Sequence, residues 1–264
     1  MEHGARLTVP HEEAFDALSA VAERFGFPVE RAGARMVINA PLGRVEMHGE
    51  GGGTDVAFGA ETPAKLQLLK DLYADRFANL GLDAGIAWRA PAERKPPNLH
   101  LTEIESIAQI SPNFVRLRLT GDFSAFKVPG AGLHFRPLFG PADAPWPYLD
   151  DRGLTEWPQG PGAWHRPPYT VRRMGADWID VDIVLHAGGR VTEWCGRAAV
   201  GDELALMGPS GGTQPEASWL ALFGDETAMP VIMRIIEDAP KGTQGLAVLA
   251  LRDDADLQPL PKES

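Results

Sequence analysis

The chain has 264 residues, 44% of them hydrophobic, and a formal net charge of −11. This length suits one large domain or two ordinary ones, with enough apolar residues for a buried core. The acidic balance argues against a nucleic-acid partner. No apolar run reaches the roughly 20 residues that a membrane helix requires, so we expect no membrane insertion.

Cysteine and histidine usage indicates a reduced, metal-free protein. The single cysteine, Cys195, cannot form an internal disulfide, and the N-terminus lacks the pattern of a secretion signal. Seven histidines are scattered without the spacing of a zinc site. We therefore expect a cytoplasmic protein in which any iron arrives already chelated.

Residues 1–90 have the pattern of a small α+β module. Apolar residues recur at helical spacing over residues 11–27, and three β-prone stretches follow at residues 35–39, 44–48 and 54–58. A second helix is predicted after Thr62, with Pro63 at its first position. We expect an accessory domain without chemistry of its own, and residues 91–98, rich in proline, to form a linker.

Residues 99–214 read as a small antiparallel β-barrel. Strands 101–110 and 114–120 flank the turn Ser111-Pro112-Asn113, and further strands are predicted at residues 169–174, 178–185 and 203–207. The alternation of residues 114–120 predicts a basic outer face carrying Arg116 and Arg118. Residues 140–165 lack periodicity and read as a long loop.

Residues 215–264 have the pattern of one βαβ unit. Apolar runs at residues 219–223 and 246–251 flank a predicted helix over residues 231–239. A doubly wound nucleotide domain needs several such units, so we expect a truncated α/β domain here.

The segment Arg166-Pro-Pro-Tyr-Thr-Val-Arg-Arg173 is the strongest motif. A tyrosine ring suits the face of a flavin, a threonine hydroxyl its edge, and an arginine fork its diphosphate. An ordinary strand with exposed arginines is the alternative interpretation of the same residues.

Four stretches together resemble a known family. They are Phe114-Val-Arg-Leu-Arg-Leu-Thr-Gly121, Tyr169-Thr-Val-Arg-Arg173, Asp180-Val-Asp-Ile-Val-Leu-His186 and Trp219-Leu-Ala-Leu-Phe-Gly-Asp-Glu-Thr-Ala-Met-Pro230. In order and spacing they resemble the siderophore-interacting proteins, FAD-dependent ferric-siderophore reductases related to ferredoxin–NADP reductases. The resemblance covers roughly residues 99–251, and residues 1–90 look like a small uncharacterised domain fused ahead of it.

The resemblance implies a six-stranded FAD-binding barrel followed by an α/β domain for NAD(P)H. Such a protein would reduce a ferric siderophore and release Fe(II). A non-catalytic flavin- or siderophore-binding module and a general flavin reductase remain alternatives. The siderophore, the choice of NADH or NADPH and the oligomeric state stay open.

The resemblance also implies site residues, which fall on three segments. On the central strand, the flavin contacts would be Tyr169, Thr170, Val171 and Arg172. The family has a further arginine two residues before the tyrosine, where this chain has Pro167, so Arg166 lies one position away from it. On the following turn they would be His186, Gly189, Thr192 and Trp194, with Arg190 where the family has proline. Before the last helix, Asp225 and Thr227 would contact cofactor, although helix capping explains both residues equally well.

Positive charge near the flavin would favour an anionic chelate. Arg116, Arg118 and Arg173 are candidate substrate contacts by strand position. Solvated charges on a strand surface are the more common use of such residues.

Overall fold

The computed structural model describes residues 2–83, 85–88, 90–141 and 143–259. Over these ranges the helices are α1 His11–Arg24, α2 Pro63–Asn79, α3 Arg190–Cys195 and α4 Met229–Glu237. The strands are β1 Glu2–Leu7, β2 Val29–Ala32, β3 Arg35–Ala40, β4 Gly43–Glu50, β5 Gly53–Gly59, β6 Ala87–Trp88, β7 Leu99–Ser111, β8 Phe114–Gly121, β9 His134–Pro137, β10 Tyr148–Leu149, β11 Thr155–Glu156, β12 Tyr169–Thr170, β13 Arg173–Met174, β14 Trp178–Val184, β15 Glu203–Ser210, β16 Trp219–Asp225 and β17 Gln244–Ala250.

The chain divides into two compact units. The first comprises the residues up to Asn98 together with Pro141–Ala163, and the second comprises Leu99–Gly140 and the residues from Trp164 onward. This division differs from the linear one that the sequence predicts. Residues 91–98 group with the first unit, and so does most of the predicted long loop, because that loop folds on α2.

In the first unit, two helices accompany an antiparallel sheet. Over the described residues its strand order is β2-β3-β4-β5-β1-β6. The helix α1 buries Phe15 and Leu18, and α2 buries Tyr73 and Phe77 in the same core. As its sequence predicts, α2 begins after Thr62, whose side chain accepts a hydrogen bond from the Lys65 backbone N–H (3.2 Å).

In the second unit, an antiparallel sheet has the order β12-β9-β15-β7-β8-β14-β13 over the described residues. The strands β7 and β8 form the predicted hairpin, and β14 pairs with β8 along its whole length. Alternate residues point inward and form an apolar core that includes Phe135, Val171 and Leu206.

The predicted closed six-stranded barrel is not seen in this part of the chain, because the sheet has seven strands and is open between β12 and β13. The reason lies in the two residues that separate these strands. The Val171 N–H donates to the Leu133 carbonyl (2.9 Å), whereas the Arg172 N–H donates to the Asp180 carbonyl (2.8 Å). The two halves of residues 169–174 therefore pair with opposite edges of the sheet.

The strands β16 and β17 are parallel and joined through α4, which is the βαβ unit that the sequence predicts. The helix α4 buries Met229 and Met233 against Phe114 of β8. On the face of the small sheet, Phe223 is 68% exposed and Val248 52% exposed. Parallel sheets are usually covered on both faces, so this two-stranded sheet is unusually open.

None of the helices that the structure describes is long and apolar enough to span a membrane. Within the same residues, no group of three or more histidine, cysteine or acidic side chains is arranged to hold a metal ion.

Candidate functional site

Three aromatic side chains meet at one end of the second unit's sheet. Tyr169 of β12 lies opposite Phe135 of β9 and packs, half-buried, on the sheet core. Trp194 of α3 lines the same narrow cavity as Tyr169. The ring of Phe139 lies edge-on to Trp194, with 5.0 Å between the ring centroids. We call Tyr169, Phe139 and Trp194 the aromatic group. The cavity that they line has a volume of only about 10 Å³, so a planar ring system would have to pack on their outer surface.

The environment keeps the Tyr169 hydroxyl and the Cys195 thiol protonated. Burial, with a smaller contribution from nearby Cys195, raises the pKa of Tyr169 above its ordinary value. Burial also raises the pKa of Cys195 to about 11. Neither side chain is therefore charged near neutral pH, and Cys195 acts as a packed side chain, without the lowered pKa of a reactive cysteine.

Thr170 and Val171 alternate between the two faces of the strand. Thr170 is 6% exposed and lies opposite His134, whereas Val171 is fully buried in the core. Arg234 of α4 donates to the Val171 carbonyl (2.8 Å). Burial, and then the charge of Arg234, lower the pKa of His134. The face that carries Thr170 is therefore next to α4.

The turn before α3 is tightly built around Gly189. A Cβ at this position would lie 2.6 Å from the exposed His186 ring and 2.9 Å from the Thr192 hydroxyl, so a larger residue would require these side chains to move. The Thr192 hydroxyl accepts from the His186 N–H (3.0 Å). Among the described contacts, the backbone N–H groups of residues 190–192 have no protein acceptor, and they lie at the positive end of α3.

Basic side chains lie beside the aromatic group. The ring of His165 is 6.1 Å from that of Phe139, and burial followed by the charge of Arg190 lowers the pKa of His165. Arg136 donates to the Arg166 carbonyl (2.6 Å). In the described part of the chain, no carboxylate lies within ion-pair distance of Arg136 or Arg190. Their charge is therefore available to an anionic ligand.

The predicted basic outer face of β8 is neutralised by carboxylates. Arg116 binds Asp182 through two hydrogen bonds of 2.6 and 2.8 Å. Arg118 binds Asp180 at 2.8 and 3.0 Å and stacks over Trp178. The reason is the register, because each arginine on β8 lies directly opposite an aspartate on β14. These two arginines are structural cross-strand partners.

Arg172 is 1% exposed and engaged by side chains of the same unit. Its guanidinium forms two hydrogen bonds to the Glu237 carboxylate of α4, one of them 2.8 Å long, and a third to Gln258 (3.3 Å). Arg173, which is exposed, also reaches Glu237 at 3.2 Å. The fork that the sequence assigns to a diphosphate is thus occupied by a carboxylate, because α4 brings Glu237 over β13.

Asp225 and Thr227 form the turn that begins α4. The Asp225 carboxylate accepts from the Thr227 hydroxyl (2.6 Å) and from the backbone N–H groups of Thr227 (2.9 Å) and Ala228 (3.1 Å). The Thr227 hydroxyl is the main reason that the pKa of Asp225 is lowered. These bonds fix the turn that precedes α4, whose N-cap position is Ala228 and receives no side-chain cap, and both residues remain exposed for a further contact.

The structure thus divides the predicted site into three groups. Tyr169 lies near Trp194 and the α3 turn, Arg172 belongs with Arg116 and Arg173 in a carboxylate network, and the α4 turn stands separately. Sequence reasoning missed Phe139, Arg136 and Glu237. The pattern His134-Phe-Arg-Pro137 was a usable signal for Arg136, since alternation places it on an exposed face.

FAD is an anionic cofactor with a flat aromatic ring, and the α3 end of the site fits these properties. The aromatic group can pack a planar ring. The glycine-built turn, with its unpaired N–H groups and Arg190, can receive a diphosphate. The Arg172 end does not fit, because its guanidinium is buried against Glu237.

The second unit combines an open antiparallel sheet with a parallel βαβ unit. A siderophore utilization protein from T. fusca shares this fold at a TM-score of 0.54 and 29% identity, covering 62% of this chain and 65% of that one. The family model described as the siderophore-interacting FAD-binding domain matches residues 103–213. The model described as siderophore-interacting protein matches residues 217–264.

These two models together match more than half of the chain, which therefore belongs to the siderophore-interacting protein family. It is 32% identical over 162 residues to ferric vibriobactin reductase ViuB of Vibrio cholerae, covering 56% of each chain. It is 31% identical over 161 residues to the NADPH-dependent ferric-chelate reductase of Escherichia coli, covering 56% of this chain and 61% of that one. The chain thus spans somewhat over half the length of the curated relatives it matches.

Proposed function

We propose that this protein is an FAD-dependent reductase that uses NAD(P)H to reduce a ferric siderophore and releases the iron as Fe(II). Family membership and the names of the relatives support the reaction. The observation that carries the proposal is the meeting of Tyr169, Phe139 and Trp194 beside a turn suited to phosphate. The proposal includes a cytoplasmic location, in line with the one cysteine being a free thiol.

In this proposal the α3 end binds FAD. Tyr169 packs against the flavin ring, and the Thr170 hydroxyl meets its edge. Gly189 and the N–H groups that follow it hold the diphosphate, with Arg190 as the charged partner. Thr192 orients the turn through its bond to the His186 backbone, and Arg166 supports the site through its carbonyl contact with Arg136.

Bound FAD would supply the redox chemistry, since flavins accept electron pairs from a nicotinamide and release electrons singly. The chain's own residues would bind and orient the cofactor and exclude water on the Tyr169 side. We assign no proton transfer to them, because Tyr169 and Cys195 both hold their protons near neutral pH.

The nicotinamide donor and the chelate would approach from the α4 side. Asp225 and Thr227 are the proposed donor contacts, because both are exposed at the start of α4. Arg173 is the remaining proposed contact for an anionic chelate, since it is exposed and shares Glu237 with Arg172. Arg116 and Arg118 are no longer assigned to substrate because Asp182 and Asp180 neutralise them.

Anaerobic turnover with an Fe(II)-trapping dye tests the proposal. We expect the full chain with FAD, NADPH or NADH, and a ferric siderophore to form the coloured Fe(II) complex only when all components are present. Reduction of free flavin without iron reduction would identify a general flavin reductase. FAD uptake without any NAD(P)H oxidation would identify a non-catalytic module. Failure to take up FAD would refute the proposal.

A further inference from the structure

The segment between Pro141 and Ala163 starts and ends in the second unit but folds as part of the first. We call residues 141–163 the excursion. Connections longer than about 12–15 residues are usually functional or disordered. The described residues of the excursion include the hairpin β10–β11, whose turn is fixed by Asp150. The Asp150 carboxylate accepts from the N–H groups of Arg152 (2.9 Å) and Leu154 (3.0 Å).

The helix α2 holds the excursion through a polar cluster. Asp71 accepts from the Thr155 N–H (3.0 Å) and the Thr155 hydroxyl (2.6 Å). Gln67 donates both to Asp71 (2.8 Å) and to the Gly153 carbonyl (3.1 Å). Lys70, 4% exposed, donates to the same carbonyl (2.7 Å). Two backbone positions of the hairpin, Gly153 and Thr155, are thus fixed to one face of α2.

A second anchor lies at the other strand of the hairpin. The Leu149 N–H donates to the Arg94 carbonyl (2.6 Å), and the Arg94 guanidinium pairs with Asp151 (2.6 Å). Leu149 and Leu154 are 5% and 8% exposed, so the hairpin also buries apolar side chains in the first unit. Both strands of the excursion are therefore docked.

The two ends of the excursion enter the second unit at one place, which we call the neck: Phe139, Gly140, Trp164 and His165. Phe139 and His165 exchange backbone hydrogen bonds of 3.0 and 2.9 Å. A Cβ on Gly140 would lie 2.3 Å from the Trp164 ring, so backbone and ring are in close contact. Phe139 also packs on Trp194. The excursion is thus covalently continuous with the proposed FAD site.

We propose that the first unit acts as a clamp, holding the excursion on α2 and thereby fixing the neck beside Trp194. Asp71 is accordingly a positioning residue for the cofactor site, and this part of the inference rests on the proposed function. An undocked excursion would sample many conformations, and the neck residues would have to be ordered when the cofactor binds. Docking orders them beforehand, which strengthens binding without a new contact.

The test compares Asp71→Asn with Asp75→Asn, which removes the same charge from an exposed position further along α2. Amide hydrogen exchange of the full chain measures how stably the excursion and the neck are folded. Flavin fluorescence and visible circular dichroism measure the binding of added FAD and the environment of its flavin ring. We expect Asp71→Asn to accelerate exchange in both regions, to weaken FAD binding about fivefold or more, and to alter the flavin dichroism. Asp75→Asn should change none of these.

Thr155→Val is the milder second variant, which removes only the hydroxyl partner of Asp71. If far-ultraviolet circular dichroism shows that Asp71→Asn is unfolded, Thr155→Val replaces it in the test. We expect Thr155→Val to change hydrogen exchange, FAD affinity and flavin dichroism in the same direction, but by a smaller amount. Faster exchange in the excursion with unchanged exchange at the neck would overturn the clamp, as would unchanged FAD affinity and dichroism. A wild-type chain that takes up no FAD would refute the proposed function. In that case, hydrogen exchange at the neck in Asp71→Asn would by itself decide whether the clamp exists.

Discussion

Arg172 and Glu237 form a bidentate ion pair that joins the segment between β12 and β13 to α4 in the second unit. The guanidinium is 1% exposed, while the carboxylate side chain is 21% exposed. Glu237 therefore occupies the guanidinium that the sequence assigns to a diphosphate. This contact therefore makes Arg172 a structural residue and moves the proposed anion site to the α3 turn.

The first prediction concerns this ion pair. Glu237→Gln removes the bidentate carboxylate and leaves the buried guanidinium only the more distant Asp182, at 3.8 Å, so we expect a loss of about 1–3 kcal/mol in the free energy of unfolding. Arg172 lowers the pKa of Glu237 below its ordinary 4.5. A lowered carboxyl pKa contributes stability above the unfolded pKa, and that stability is lost as pH falls through the folded pKa.

Denaturant unfolding at several pH values between 7 and 3 measures both effects. The wild type should lose part of its stability below pH 4.5, and the difference from Glu237→Gln should shrink over that window. A constant difference down to pH 3 would show that the pair contributes no such proton linkage.

The second prediction concerns Tyr169. Tyr169→Ala removes the ring from the aromatic group, and we expect FAD affinity to fall about tenfold or more, equivalent to about 1.4 kcal/mol. Tyr169→Phe keeps the ring and should retain most of the affinity. His134→Ala, on the neighbouring strand, should have a much smaller effect. Fluorescence titration with FAD makes the comparison, and equal losses for Tyr169→Ala and His134→Ala would contradict the placement.

The third prediction concerns Arg190, at the first position of α3. We expect Arg190→Gln to weaken FAD binding about tenfold or more, since a charge-assisted bond to a phosphate contributes about 1.5–3 kcal/mol. The salt dependence of binding should also become less steep. Arg197→Gln is the matched control, because Arg197 is exposed in the turn after α3. Indistinguishable variants would remove Arg190 from the site.

The fourth prediction concerns Lys70 in the first unit. Burial lowers its pKa to about 8 from 10.5. Between these values the unfolded chain binds a proton that the folded chain has lost, so stability contributed by this site rises as pH increases from 8 towards 10. Lys70→Met should abolish that part of the rise. Thermal melts of both proteins at pH 7, 8, 9 and 10 check this, and parallel pH profiles would argue against it.

Local patterns predicted much of the fold. The turn Ser111-Pro112-Asn113 marked the β7–β8 hairpin, Thr62 and Pro63 marked the start of α2, and two apolar runs marked the parallel strands β16 and β17. Each of these signals depends on residues that are close in the sequence. Turn chemistry, capping and periodicity act at that range, so they can be recognised without a structure.

The remaining features depend on pairs that are distant in the sequence. Nothing near Arg172 identifies Glu237 as its partner, and nothing in residues 141–163 indicates that Thr155 binds Asp71. The neutralisation of the arginines on the outer face of β8 could have been predicted from the sequence. Arg116 and Arg118 are two residues apart on β8, and Asp180 and Asp182 are two residues apart on β14. Pairing the two strands in register therefore predicts the two ion pairs.

The most direct test of the central claim is an equilibrium titration of the full chain with FAD, followed by visible absorption. An FAD site at the α3 end predicts saturable uptake of one FAD per chain, a resolved shift of the flavin bands, and weakened uptake in Tyr169→Ala and Arg190→Gln. Absence of saturable uptake, or equal uptake by the wild type and both variants, would contradict it.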